Sequence, residues 1–341
     1  MSLFDELLKL RDEQRSVAEK QPIVLRGRDV PWEENQHGKM KWFLHPCLES
    51  ARNAYVLYVQ QVSPGWKSGL QRCQGGMLFY GLEGRLRTRV NGELYEWGAG
   101  DLLTLPILRD GVEYQHLNVG KGSNAFLLAC EINTAHSLGV DKGSGFEELE
   151  SSGMITEKDL ARPTGQRVPD PVRRTDVPSS LASQYDRDFA SWMKIRERYE
   201  KANLLIRGAE MSWEQNRMGK VCYYLNPEFQ QNALLDWTVF AQDIRIHSGK
   251  HIHQGGLIIY VTEGEGYTVC DGKRYDWEAH DLILFPVKPG GVQHQHFNTK
   301  AGASCRWIVL FYWPWWEQVA SEFVQMELHP DFVEGKDGPS R

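Results

Sequence analysis

The chain has 341 residues, 41% of them hydrophobic and 25% charged, with a formal net charge of −6. That length allows two domains with cores of their own, and basic residues scattered among acids exclude a phosphate-neutralising face for nucleic acid. No stretch approaches the roughly 20 apolar residues of a membrane span, and the six cysteines form no CxxC pair, which points to reduced thiols and a cytoplasmic setting.

MSLFDELLKLRDEQRSVAEKQ opens the chain as an amphipathic helix, charged throughout and without the apolar run of a secretion signal. From about residue 25 the pattern changes to short strands separated by glycine, with Asn91-Gly92 as a hairpin turn. The polar, proline-bearing segment 147–200 reads as a linker draped over the surface. It closes on ASQYDRDFASWMKIRERYEKANLL, a helical stretch that echoes the first helix. A second set of strands follows, with Asp271-Gly272 placed as Asn91-Gly92 was. The aromatic run Phe311-Tyr312-Trp313-Pro314-Trp315-Trp316 is expected to pack the last strand and a following helix, rather than to wall a flat pocket.

The second set is a copy of the first. LRGRDVPWEENQHGKMKWFLHP, from Leu25, matches IRGAEMSWEQNRMGKVCYYLNP, from Ile206, at Arg, Gly, Trp, Glu, Asn, Lys, Leu and Pro positions in one register. Further on, QRCQGGMLFYGLEG from Gln71 lies over HIHQGGLIIYVTEG from His251, and Gly111–Asn118 over Gly291–Asn298. The expected domains are residues 1–146 and 201–341, with linker and helix between them.

In HIHQGG, alternation along a strand would place His251 and His253 on one face, which suits two ligands of one metal. With Glu263-Gly264-Glu265-Gly266 behind the pair, and Asp281 to Pro286 leading to His294 and Asn298, the residues resemble the cupin superfamily. The resemblance covers about two-thirds of the chain, once per copy, and so indicates a bicupin. It implies an all-β fold of two jelly-roll (double-stranded β-helix) barrels from an internal duplication, with short helices before and after the barrels. It also implies a metal held by His251, His253 and His294. Many cupins add a Glu four or five residues after the second His; Leu257 and Ile258 stand there instead. In the first copy Gln71, Cys73 and Tyr114 replace the histidines, a poor set for any one metal, so that copy is expected to be metal-free.

A carboxylate-free three-histidine site is similar to that of the gentisate and salicylate ring-cleaving dioxygenases, and more loosely to hydroquinone dioxygenase large subunits, which work with a small partner subunit. The resemblance implies Fe(II), O2, a small aromatic acid or phenol, extradiol-type cleavage and a homo-oligomer, dimer or tetramer. His296 and His247 are candidates for acid–base work. Gln254, Tyr260 and Gln293 are candidates to orient substrate, and Arg245 to pair with its carboxylate. His296 has two other readings: a competing ligand, or a structural residue like its counterpart His116. The alternatives to a dioxygenase are a Mn, Ni or Zn cupin enzyme of another reaction type and a non-enzymatic ligand-binding bicupin.

Overall fold

The Arg-Gly pair heading each copy finds its reason in the computed structural model, which describes residues 2–48, 54–138, 147–161, 183–300 and 302–334. Val24–Leu25 leaves its own half and pairs antiparallel with Leu282 and Ile283 of the other. Leu205–Ile206 does the reverse, pairing with Leu102 and Leu103. Each arm is pinned by an aspartate. Asp281 accepts from Arg26 Nη1 at 2.7 Å and from the Gly27 amide at 2.8 Å; Asp101 accepts from Arg207 at 3.2 Å and from the Gly208 amide at 3.0 Å. A Cβ on Gly27 would stand 2.1 Å from the His280 carbonyl oxygen, and one on Gly208 the same distance from that of Gly100. Only glycine permits the approach.

Each half is built from two sheets. In the second, one sheet runs Leu282–Ile283, Ile258–Glu263, Arg306–Tyr312, Trp237–Asp243, Gly219–Leu225 and Glu214–Asn216, with the first arm at its edge. The other runs Lys273–Glu278, Glu265–Cys270, Val292–Asn298, Lys250–His253 and Val324–Glu327. Both glycine-dipeptide turns are hairpins with positive φ at each central residue, 47° and 88° at Asn91-Gly92 and 48° and 80° at Asp271-Gly272. The two copies thus share architecture as well as sequence.

Period-two alternation sorts side chains between two apolar regions. Leu257, Ile259 and Val261 face the interior of the second barrel, whereas Ile258 and Tyr260 join the large cluster shared with the first half. Aromatic pairs cross there: Phe43 with Tyr260 at 5.6 Å, Tyr55 with Trp237 at 5.8 Å and Tyr80 with Tyr224 at 5.8 Å between ring centroids. Burying each such ring stabilises the pairing of the barrels by about 1.5–3 kcal/mol.

The expected helices form at Leu3–Glu19 and Gln184–Lys201, each capped by a serine and an aspartate three residues on. Part of the expected linker is something else. Glu147–Glu150 pairs with Leu70–Cys73, and Gly153–Met154 with Trp66–Lys67, so these residues are edge strands of the first barrel. Residues 162–182 of that segment lie outside the described residues. Among the described residues, no helix is long and apolar enough to cross a membrane.

Candidate metal centre

His251 and His253 alternate inward along Lys250–His253, and the neighbouring strand sets His294 directly opposite His251. The three imidazoles crowd together, with ring centroids 5.3 Å apart for His251–His253, 4.3 Å for His251–His294 and 4.5 Å for His253–His294. One nitrogen from each lies within 4.8 Å of the others.

The opposite ring nitrogens decide the tautomers. Nδ1 of His251 lies 3.1 Å from the Gly249 carbonyl oxygen, that of His253 2.6 Å from Gln254 O, and that of His294 3.0 Å from Val292 O. A carbonyl only accepts, so each Nδ1 carries the proton and each Nε2 keeps its lone pair for a cation. Burial, their first cause, pushes the pKa values down, to about 3 for His251 and about 4 for His253, and well below the usual range for His294. All three are neutral bases at any physiological pH.

They line a cavity of about 710 Å³ walled by Phe311, Trp313, Trp316 and Phe323. Phe323 stacks on His251 at 4.8 Å and 27°, and Trp316 lies 5.2 Å from His253. No aspartate or glutamate is among the lining residues, and Leu257, at a position where many cupins carry a glutamate, lines the wall. His294 Nε2, Trp307 Nε1 and Gln325 Oε1, all on lining residues, are buried without a hydrogen-bond partner. Such orphans mark a place meant for something else. Three imidazole lone pairs suit a divalent first-row metal, so the residues present fit the group that the cupin resemblance implies.

Comparison with known proteins agrees on the fold. Residues 245–311 match the family model of the cupin domain. Oxalate decarboxylase from Bacillus subtilis at pH 4.6 superimposes with a TM-score of 0.59 and 13% identity, covering 90% of this chain and 78% of that one. The chain folds as a bicupin. A variant salicylate 1,2-dioxygenase from Pseudoaminobacter salicylatoxidans, in complex with gentisate, superimposes on this bicupin with a TM-score of 0.52 and 16% identity, covering 94% and 84% of the two chains. No curated protein matches the sequence.

The remaining candidates of the bicupin divide sharply. His296 lines the cavity, 5.3 Å from His294 between ring centroids, but it is outside the group of converging nitrogens. Its Nδ1 lies 2.7 Å from Thr268 Oγ1, which accepts from Trp277 Nε1 at 2.9 Å. The threonine proton is therefore free to donate to Nδ1, leaving the His296 proton on Nε2. His116, Thr88 and Trp97 repeat this network in the first half at 2.8 and 2.7 Å.

The other five candidates do not line the cavity. His247 turns to Ser248 O and Gln295, at 2.8 and 3.1 Å. Gln254 spends both ends of its amide on the Lys288 backbone. Tyr260 points into the cluster between the barrels, by the alternation that sends Ile259 to the cavity. Gln293 neighbours the inward His294 on a strand that alternates buried and half-buried residues, so it faces the other way. Arg245 pairs with Asp243 at 3.0 Å and reaches Gly302 O.

Sequence reasoning passed over Arg217, Trp307, Phe323, Gln325 and Phe332, which all line the cavity. The aromatic run, expected to pack the last strand and helix, also walls it with Phe311, Trp313 and Trp316. In the first barrel Tyr114 donates to Gln71 Oε1, and Gln71 donates to Glu148 at 3.0 Å. There, two of the residues that replace the histidines spend their polar groups on such a chain.

Proposed function

We propose that this bicupin is a non-haem Fe(II) dioxygenase that cleaves the ring of a hydroxylated aromatic substrate, of gentisate, salicylate or hydroquinone type, with O2. The observation that carries this is a set of three neutral imidazoles converging in an aromatic-walled cavity without a carboxylate in its lining. Hard Mn²⁺ favours carboxylate oxygen, whereas imidazole suits iron. Held by His251, His253 and His294, iron would supply open coordination and one-electron chemistry for the substrate oxygen and O2.

The chain does the rest. Backbone carbonyls hold the three imidazoles in one tautomer, and the Trp and Phe walls take a flat ring and exclude water. His296 presents an Nε2–H beside His294, where it serves as a proton donor to a substrate oxygen. The first barrel supports this centre as scaffold through the crossed arms.

A Mn, Ni or Zn enzyme of another reaction type is the second reading, and the likeness to oxalate decarboxylase stands beside it at the level of fold. Metal analysis of anaerobically purified protein and of His251→Ala separates the two. About one iron per chain, lost in the variant, with O2 uptake on gentisate, a salicylate or a hydroquinone, is the expected result. Stoichiometric nickel or manganese moves the protein to the second reading, and no metal in either sample removes the enzyme reading.

A further inference from the structure

Arg217 is the one charged side chain among the residues that line the large cavity, the histidines being neutral. It sits in the turn between Glu214–Asn216 and Gly219–Leu225. Its guanidinium lies over the ring of Phe332 at 5.8 Å, and among the described residues it makes no ion pair. A second cavity of about 300 Å³ shares Arg217, Gln325 and Phe332 with the first and contains none of the histidines. Arg217 therefore stands on the boundary between the histidine cavity and a second one that holds no histidine. Glu334, also at the outer cavity, is exposed and forms no ion pair with it.

The duplication isolates this residue. Within WEENQHGK and WEQNRMGK, five of the eight positions are identical and Gln36 stands opposite Arg217. Arginine and histidines occur together in one copy and are missing together from the other.

Size points the same way. A cavity of about 710 Å³ falls among pockets that enclose drug-sized ligands, and a one-ring acid of about ten non-hydrogen atoms fills only a minor part of it. An ortho-hydroxy acid that placed both oxygens at the histidines would leave Arg217 without an anion.

We propose that the substrate is an elongated aromatic acid. Its phenolic end meets the histidines, its apolar middle lies against Phe311, Trp313 and Phe323, and its carboxylate, several bonds from the phenol, pairs with Arg217. A planar guanidinium gives a carboxylate two parallel hydrogen bonds. This inference rests on the ring-cleavage reading for what happens at the phenolic end; the charge recognition stands on the cavity alone.

The test is calorimetric binding to the zinc-loaded protein, which is redox-inert and turns nothing over. The probes are para-hydroxyphenylpropionate, its primary amide and salicylate; the proteins are wild type, Arg217→Gln (the first copy's residue) and Arg217→Lys. Wild type is expected to bind the long acid at least tenfold tighter than the amide. Arg217→Gln should erase that gap by weakening the acid alone, Arg217→Lys should restore part of it, and salicylate should change less than twofold throughout. Equal binding of the long acid by wild type and Arg217→Gln overturns the proposal, as does an equal loss with salicylate or no binding of the long acid by wild type. O2 uptake by the iron-loaded protein is scored separately. A charge gap without uptake on any ring refutes the dioxygenase reading alone, and uptake by a protein that shows no charge gap in binding refutes this one alone.

Discussion

Thr268→Val tests the buried network behind His296, and the first barrel supplies its control. Thr268 is fully buried; its hydroxyl accepts from Trp277 Nε1 at 2.9 Å and lies 2.7 Å from His296 Nδ1. Valine keeps the shape and removes the oxygen, leaving one buried donor and one buried acceptor without partners. Each such orphan costs about 1–3 kcal/mol, so the variant should lose about 2–6 kcal/mol. With an unfolding entropy of about 2.1 cal/mol/K per residue, a chain of 341 residues melting as one unit would lose about 3–8 °C in Tm. Thr88 is fully buried too and holds Trp97 and His116 at 2.7 and 2.8 Å, so Thr88→Val should cost the same within about 1 kcal/mol. The two should part in function. Only Thr268 sets the proton on a histidine that lines the cavity, so only Thr268→Val should lower turnover and move the His296 ¹⁵N shifts away from the Nε2–H pattern. A loss below about 0.5 kcal/mol in Thr268→Val, or an unchanged His296 tautomer, would refute the network argument.

Three further outcomes follow from the same geometry. Burial drops the His37 pKa from 6.5 to about 3, so between these values the unfolded chain binds a proton that the folded one refuses. Stability should drop as pH falls through that window, by about 1.4 kcal/mol per unit for each such histidine; His37→Met, the residue of the second copy, should flatten the urea-midpoint slope by one proton, and parallel slopes would contradict this. Asp281→Ala should cost about 3–5 kcal/mol and exceed Asp101→Ala, because the two aspartates are 1% and 15% exposed; the reverse order in thermal melts would be evidence against the arm anchors. Phe323→Ala strips the ring stacked on His251 but itself 47% exposed; a chelator should then remove metal several-fold faster, with stability changed by less than about 1 kcal/mol, and unchanged release would show that Phe323 is no barrier.

The duplication, the all-β fold and the convergence of His251, His253 and His294 were legible because each rests on residues with fixed strand offsets. The rest of the cavity lining was not, for the same reason inverted. A strand offers two faces, and Gln293 and Tyr260 are each one residue out of phase with the cavity. Arg245, a candidate for a substrate carboxylate, pairs instead with Asp243 two residues before it. Phe323 reaches the site through the edge strand Val324–Glu327, which docks beside the histidine strand from more than seventy residues later. The one local signal for Arg217 was its divergence from Gln36, one of three differences in an eight-residue stretch.

The crossed arms also impose an order on folding during synthesis. Asp101 waits 106 residues for Arg207, so the first barrel receives its borrowed strand early. Arg26 waits 255 residues for Asp281, which at 5–20 residues per second is on the order of 10–50 s. Throughout that interval the strand Val24–Leu25 has left the ribosome and has no partner. The second barrel, with its histidines, is thus the last part of the molecule to close, and it closes on a strand made before either barrel.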